Sequence, residues 1–298
     1  MTQAAIQLYT LRDFDTELSD VIHRVADAGF EGVEFAHRIR ESSPVSVKEA
    51  LRTRGVEPVG AHVELPLLRS EFDELLGRYE ILGCSRIVLP HVSNDYFRTT
   101  EGVESLAEEL DTLGSRLDDR GFELVYHNTH QNLFPTLDQF GLDSLLDVGP
   151  IPDGGWNHIA DALGRVFRFD GADLGRTGYG RLVAETDDEN VTFEVDIKNV
   201  VAAGFDPAAV LDFVGDRLSM VHVADIDRSR LFPPGYDSVD PGTGMVDIQR
   251  AVDLSLESPA DWVVFEHDSP SDPEKALEQG VATLSTKMDI ESVCPVPA

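Results

Sequence analysis

The strongest constraint on the fold of this chain is a repeated order of helix, glycine and strand. Segments with helical periodicity end at a glycine, and a short apolar run follows at once; this occurs at Gly29, Gly55, Gly83, Gly121 and Gly215. A glycine ends a helix well because it adopts the left-handed conformation without steric cost. The repetition therefore predicts a chain built from successive βα units.

Eight apolar runs are candidates for the strands of these units. Five follow the glycines, and three more occur at residues 4–9, 191–197 and 262–267. Such nearly continuous apolar runs are typical of strands buried on both faces. Eight units favour a closed barrel over an open sheet, and no glycine-rich nucleotide-binding motif follows the first strand. We predict a single α/β domain over residues 1–298, a (β/α)8 TIM barrel.

One segment interrupts this rhythm, because about 50 residues separate the fifth strand from the sixth. We interpret residues 140–185, which include Trp156, as an insertion at the barrel mouth. Its glycines and mixed periodicity are compatible with a lid over a site, and equally with a loop elaboration that has no function.

The charge balance restricts the partners of the protein. The chain has 55 acidic and 24 basic residues and a formal net charge of -31. Nucleic-acid binding needs clustered cations, so we expect no nucleic-acid partner. Only four of the basic residues are lysines, and an excess of acid with little lysine is typical of proteins that work in concentrated salt. We therefore expect a halophilic source.

Two further features concern the compartment. No apolar stretch approaches the roughly 20 residues needed to span a bilayer, and the first residues do not resemble a secretory signal. We expect a cytoplasmic protein without a membrane partner. The two cysteines, Cys84 and Cys294, have no metal-ligand spacing and are expected to be free thiols.

Histidines are concentrated where the predicted strands end. Seven of the nine lie at or just after a strand end, namely His37, His62, His91, His127, His130, His222 and His267. The carboxyl ends of the strands form the active face of a TIM barrel. Any one of these histidines could be a hydrogen-bonded residue at a loop start, but seven together predict a site.

Carboxylates occur at the same level, at Glu34, Glu64, Asp196, Asp225 and Glu266. A buried carboxylate must be paired or bound to a cation. Asp196, His222 and Glu266 end the sixth, seventh and eighth strands, which are neighbours in a barrel. Two oxygens and one imidazole suit manganese, magnesium, cobalt, iron or zinc. We predict a divalent-metal site here; the alternative is a hydrogen-bonded network without metal.

Several motifs, in order along the chain, carry a resemblance: QLYTLRD, DAGFEGVEFA, VGAHV, YHNTH, FEVDIKNVVAAGFDP, HVADID, PGTGMVDI and FEHD. The chain resembles the sugar phosphate isomerase/epimerase superfamily of xylose-isomerase-like TIM barrels, which includes inosose dehydratases and ketose 3-epimerases. The resemblance implies a metal held by residues from strands five to eight. Asp196, His222 and Glu266 match three of these positions, and His127 of YHNTHQ takes the place of the usual glutamate.

The resemblance also implies proton abstraction beside a carbonyl or hydroxyl, with the cation stabilising an enediolate. Glu266 is expected to lie near the reacting carbon as well as to bind the metal, and His62, Glu64 and His130 are candidates to transfer the proton. The candidate substrate-binding residues are Glu34, His91, Asn128, Lys198, Asn199 and Arg228.

The roles of the two basic residues Lys198 and Arg228 are open at this stage. Lys198 could hydrogen-bond a substrate hydroxyl or phosphate, form a Schiff base, or simply be a solvated lysine that starts the next helix. Arg228 could hold an anionic group on the loop after the seventh strand, because arginine binds carboxylate or phosphate oxygens in a bidentate manner.

We therefore expect a metal-dependent isomerase or epimerase that acts on a sugar, keto-sugar or cyclitol. The alternatives are a lyase of the same superfamily that dehydrates a keto-inositol or 3-keto sugar, and a barrel that binds a sugar without converting it. The third is favoured by the lack of an acidic residue directly after YHNTHQ, where QNLF stands. The expected partner is a small carbohydrate, and the expected assembly is a homodimer.

Overall fold

The computed structural model describes residues 2–36, 38–136, 138, 171–230 and 235–288. It confirms the predicted TIM barrel, because eight parallel strands close on themselves. These strands are β1 (Gln3–Gln7), β2 (Gly32–Phe35), β3 (Glu57–His62), β4 (Arg86–Leu89), β5 (Glu123–His127), β6 (Val191–Asp196), β7 (Leu218–Val223) and β10 (Trp262–Phe265).

Neighbouring barrel strands follow one another along the chain, and β1 closes the barrel against β10 through the pairing of Ala5 with Val264. Between β7 and β10 the chain forms an antiparallel hairpin, β8 (Asp225–Arg230) and β9 (Gly235–Val239). The sequence analysis treated β8 as loop. Its polar sequence, DIDRSR, lacks the apolar run by which the barrel strands were recognised.

Helices form the outer layer. They are α1 (Leu18–Ala28), α2 (Pro44–Arg54), α3 (Leu65–Ser70), α4 (Phe72–Leu82), α5 (Thr100–Asp118), α6 (Gly178–Glu185), α7 (Ile197–Ala203), α8 (Pro207–Val214), α9 (Ile248–Glu257) and α10 (Pro273–Leu284). The glycines at the ends of α1, α2 and α4 have φ values of 104°, 67° and 80°, as predicted for left-handed caps. None of the described helices is long and apolar enough to cross a membrane.

The predicted insertion is described only in part, since residues 139–170, with Trp156, lie outside the described residues. Its last residues form α6, which belongs to the barrel's outer layer. Tyr179 of this helix is fully buried, and its ring lies 6.4 Å from that of Tyr126 and 5.7 Å from that of Phe193. The predicted boundary at residue 185 therefore extends too far.

The barrel interior begins with an apolar layer. Seven buried residues form a cluster separate from the larger core around the helices: Ala5, Val59, Val88, Val125, Met220, Trp262 and Val264. Side chains alternate between the two faces of a strand, so the residues two positions further along also face the interior. Beyond four members of this layer these positions hold polar residues, namely Gln7, His127, His222 and Glu266, and Glu34 on β2 is the register partner of Gln7. The apolar layer is thus the floor of a polar one.

The fit of helix α5 against the barrel gives a first prediction. A Cβ atom on Gly114 would overlap the backbone carbonyl of Asn190, just before β6, whereas a Cβ on Gly77 of α4 would meet nothing. We expect Gly114→Ala to destabilise the protein by about 1–3 kcal/mol. Gly77→Ala, as the control, should stabilise it by about 0.5–1 kcal/mol. Urea unfolding measures both, and equal effects would contradict the packing described here.

Candidate active site

The polar layer contains two groups of possible metal ligands that share one histidine. The first, which we name the inner cluster, consists of Glu34, His62, Glu194 and His222, whose donor atoms all lie within 4.8 Å of one another. His222 Nε2 is 2.8 Å from Glu34 Oε2 and 2.9 Å from Glu194 Oε1. His62 Nε2 is 3.2 Å from Glu34 Oε1 and 3.7 Å from Glu194 Oε2.

The second group consists of His127, Asp196 and His222, whose donor atoms also lie within 4.8 Å of one another. With Glu266, which is next to His222, these residues are the four predicted to bind metal, and we name them the outer cluster. His127 Nε2 lies 3.6 Å from Asp196 Oδ2, and His222 Nδ1 lies 3.3 Å from Glu266 Oε2. Asp196 and His222 are register partners on adjacent strands. The structure thus brings the four predicted side chains together at the carboxyl ends of β5, β6, β7 and β10.

The donor atoms of the outer cluster fit a divalent metal. His127 Nδ1 lies 3.2 Å from the carbonyl oxygen of Pro90, which it can donate to, and this leaves Nε2 as the free lone pair. That Nε2 is buried and has no hydrogen-bond partner among the described residues. Burial lowers the pKa of His127 to about 4, so its imidazole is neutral at pH 7, as metal binding requires.

Two asparagines position the carboxylate of Asp196. Asn128 accepts a hydrogen bond from the backbone N–H of Asp196 at 2.8 Å. Asn199 donates to Asp196 Oδ2 at 2.7 Å and to the backbone carbonyl of Asn128 at 3.1 Å. Both were predicted to bind substrate. Asn128 is fully buried, so its observed contacts are with the protein, whereas Asn199 also lines the cavity.

Lys198 is buried, so the alternative of a solvated lysine is wrong. Its ammonium group lies 2.6 Å from Glu266 Oε2, 2.7 Å from Asp268 Oδ2 and 3.5 Å from Asp196 Oδ2. Burial opposes the charge, but the three carboxylates outweigh it and raise the pKa of Lys198 well above its ordinary value. A protonated amine is not a nucleophile, which disfavours a Schiff base.

A cavity of about 600 Å³, large enough for a small ligand, opens at this end of the barrel. It is lined by Tyr9, Ala36, His62, Glu64, Pro90, His91, His127, Asp196, Lys198, Asn199, Glu266 and Asp268. Most predicted site residues therefore face one space. Glu34 does not line it; its side chain is fully buried and belongs to the inner cluster.

Other predicted residues lie at the rim or outside the cavity. Glu64 and His91 are exposed and line it. His130 does not line it; its ring packs 5.5 Å from that of Tyr236 on β9. Arg228 is exposed on β8 and does not line it either. The structure thus gives His130 and Arg228 no contact with the cavity.

Among the seven strand-end histidines, two more differ from the others. His267 is buried, with Nδ1 3.0 Å from Ser238 Oγ and Nε2 3.4 Å from Asp240 Oδ1, so it joins the end of β10 to the hairpin. His37 lies outside the described residues.

Asp225, noted as a strand-end carboxylate, has a structural role. Its two oxygens accept hydrogen bonds from the backbone N–H groups of Ile226, Gly242, Gly244 and Val246 at 2.9 to 3.0 Å. Four backbone donors satisfy a buried carboxylate without any cation. Asp225 therefore fixes the segment that precedes α9.

The sequence analysis missed Glu194 and Asp268. Glu194 precedes Asp196 by two residues on β6, and Asp268 follows Glu266 by two. The period of a strand places residues i and i+2 on the same face, and that signal could have found Glu194. Asp268 lies beyond the end of β10, where this period no longer applies.

Opposite charges set the protonation of the two clusters. Burial would lower the pKa of His62, but Glu34 and Glu194 raise it to about 10. Burial opposes the ionisation of Glu266 as well, yet Lys198 and His222 hold its pKa well below the ordinary range. In the absence of metal, His62 is therefore charged and Glu266 is ionised at neutral pH.

Comparisons with known proteins agree with this architecture. No protein-family model matches the chain. An inosose dehydratase from Lacticaseibacillus casei is 22% identical over 221 residues, covering 70% of this chain and 58% of that protein. The chain thus matches less than two thirds of the length of this relative.

Two solved structures resemble the whole barrel. A sugar phosphate isomerase/epimerase from Parabacteroides distasonis has a TM-score of 0.70 at 14% identity, covering 97% of this chain and 100% of the other. An IolI protein with a bound zinc atom has a TM-score of 0.65 at 14% identity, with 97% and 100% covered. At such identities the likeness establishes the TIM-barrel fold alone.

The charge on His62 gives a pH prediction for the chelator-treated protein. Folding raises the pKa of His62 from 6.5 to about 10. Its proton therefore stabilises the folded state fully below about 6.5, and this contribution is lost as the pH rises towards about 10. We expect the melting temperature to fall over this range, and to fall less steeply in His62→Gln.

The control is His23→Gln on helix α1, which should keep the slope of the unaltered protein. Circular dichroism melts at a series of pH values measure all three proteins. Equal slopes for His62→Gln and the unaltered chain would contradict the charge assigned to His62.

Proposed function

We propose that the protein is a divalent-metal-dependent isomerase or epimerase that acts on a sugar, keto-sugar or cyclitol through an enediolate. One observation carries this proposal. His127, Asp196 and His222, from three adjacent strands, have donor atoms within 4.8 Å of one another beside a small-molecule cavity, and the buried His127 Nε2 among them has no hydrogen-bond partner in the described part of the chain. Manganese, magnesium, cobalt and zinc all suit these donors.

The outer cluster, His127, Asp196, His222 and Glu266, would hold the ion. When bound, a divalent ion supplies Lewis-acid polarisation of a substrate carbonyl and stabilises the negative charge that develops on its oxygen. Asn199 holds the Asp196 carboxylate, and Asn128 holds the backbone N–H of the same residue, through the hydrogen bonds described above. Such supporting contacts keep ligands in a productive orientation.

Proton transfer requires a group that touches both the cavity and a proton acceptor. His62 meets this condition, because its side chain is 14% exposed and lines the cavity while Nε2 lies 3.2 Å from Glu34 Oε1. Glu266 lines the same cavity and is held ionised by Lys198, so it can accept a proton from a substrate carbon. Lys198, which Asp268 holds by an ion pair, orients Glu266 rather than reacting itself.

A dehydratase is the second candidate, supported by the 22% identity to an inosose dehydratase. Removal of water from a keto-cyclitol begins with the same abstraction of a proton beside a carbonyl, so the same residues could serve both reactions. We also infer that the substrate carries several hydroxyl groups, because ten of the twelve residues that line the cavity have polar side chains.

Metal dependence is tested with Asp196→Asn, which keeps the size of the side chain and removes a charged ligand. We expect the bound metal to fall by about one ion per chain and the turnover to fall on the order of a hundredfold or more. Asp212→Asn on helix α8, exposed and outside the cavity lining, is the matched control and should change neither. Elemental analysis and a sugar-conversion assay provide the readouts, and full metal retention in Asp196→Asn would refute the assigned site.

The reaction type is tested by mass spectrometry of the products from a panel of ketoses, aldoses and keto-cyclitols. The leading proposal expects a product of unchanged mass, with deuterium incorporated from heavy water at the carbon that loses its proton. Loss of one water would establish the dehydratase instead. Tight binding without turnover of any member of the panel would leave a sugar-binding barrel, the third alternative.

A further inference from the structure

The inner cluster has no task in the proposed reaction apart from the contact of His62 with the cavity. Its donors, two carboxylates and two imidazoles, come from β2, β3, β6 and β7. Glu34, Glu194 and His222 are fully buried in the barrel. The cluster lies directly above the apolar floor, where a Cβ on Gly60 would contact both Met220 and the carboxylate of Glu34.

Glu34 Oε2 accepts hydrogen bonds in this cluster, but the other three carboxylate oxygens are paired with the histidines by charge alone. Both oxygens of Glu194 and Oε1 of Glu34 are buried and, among the described residues, no donor directs a good hydrogen bond at them. Buried polar atoms in folded proteins are nearly always hydrogen-bonded, and each exception needs an explanation. A buried carboxylate needs it most, because an ionised group is the costliest to desolvate.

The distances between donors point to a cation between them. Ligands about 2.1 Å from a tetrahedral metal lie about 3.4 Å from one another. One donor atom from each of the four residues can be chosen so that all four lie within 4.8 Å of one another, which small side-chain shifts bring to this separation. Moreover, His222 Nε2 faces two carboxylates at nearly equal distance, and one N–H can be directed at only one of them.

The surroundings resemble the supporting contacts of a metal site. Gln7 donates to Glu34 Oε2 at 2.5 Å, and its own amide oxygen accepts from the backbone N–H of Tyr9 at 3.2 Å. The second contact fixes which end of the Gln7 amide faces Glu34. Ligating carboxylates are commonly held in this way by a neighbouring donor.

We propose that the inner cluster binds a second divalent cation, of the zinc type, with Glu34, His62, Glu194 and His222 as its ligands. His222 lies between the two sites, with Nε2 towards the inner cluster and Nδ1 towards Glu266 of the outer cluster. With both ions present it would serve both sites as an imidazolate, its ring protons released to solvent. Two carboxylates with two imidazoles are a donor set that zinc, cobalt and iron accept. The inner site does not depend on the proposed reaction, but an ion there would occupy His62 Nε2 and Glu34, so Glu266 would then be the group that handles the proton.

The experiment counts zinc per chain in the full-length protein. Each protein is equilibrated with zinc, washed with a weak chelator to remove ions from its acidic surface, and submitted to elemental analysis. The unaltered chain is compared with Glu194→Gln, Asp196→Asn and the double variant, and Asp212→Asn serves as the control. We expect about two ions in the unaltered chain and the control, one in each single variant and none in the double variant.

The other outcomes separate the two sites. A single ion that is lost in Asp196→Asn and retained in Glu194→Gln would overturn the inner site and leave the outer one. A single ion with the opposite pattern would support the inner site and remove the metal from the proposed reaction. The absence of any ion in the unaltered chain would overturn both metal sites. Protonated histidines would then balance the charge of the carboxylates.

A second measurement tests the inner site if the Glu194→Gln variant does not fold. Glu194→Leu replaces the buried carboxylate by an apolar side chain of similar size, which removes the ligand without leaving an unpaired polar group at this position. In Asp196→Asn, where only the inner site remains, zinc should still raise the melting temperature; adding Glu194→Leu should abolish that rise. A rise that persists in Asp196→Asn with Glu194→Leu would overturn the inner site.

Discussion

The need to balance buried negative charge is the constraint on which the rest of this barrel depends. Five carboxylates, those of Glu34, Glu194, Asp196, Glu266 and Asp268, converge in and above the barrel interior, and Lys198 is the lysine among them. The protein can tolerate such a concentration only with protonated histidines or bound cations. The same shortage of positive charge that makes the interior costly to fold also makes it suitable for binding metal.

The strand period determines where this charge is placed. An apolar layer that includes Val125, Met220 and Val264 fills the bottom of the barrel, and the next inward residues on the same strands are His127, His222 and Glu266. The floor excludes water from below, so electrostatic interactions in the layer above act at reduced screening. The fold and the site therefore depend on the same pattern. The two-residue period of the strands that directs apolar side chains into the core also directs the candidate ligands into the barrel.

The barrel and most of the candidate ligands could be predicted from the sequence, because the patterns that indicate them lie within short stretches of the chain. Helix-ending glycines and apolar runs identified all eight barrel strands, and strand ends indicated the residues of the outer cluster. Features that depend on distant contacts were not recognised. The burial of Lys198 results from Glu266 and Asp268, about 70 residues away. The hairpin was missed because its pairing, and not its hydrophobicity, defines it.

Asp225 determines which residues of the segment at 242–246 are needed for its backbone conformation and which are not. It holds the segment at residues 242–246 through backbone N–H groups, so the bonds do not depend on the side chains of that segment. Gly244 is an exception, because a Cβ there would overlap Asp225 and the carbonyl of Ile226, and Gly242 has a φ of 80°. The exposed Thr243 can therefore be replaced, and the surface of the segment altered, while a single aspartate, two glycines and the buried Val246 preserve its shape.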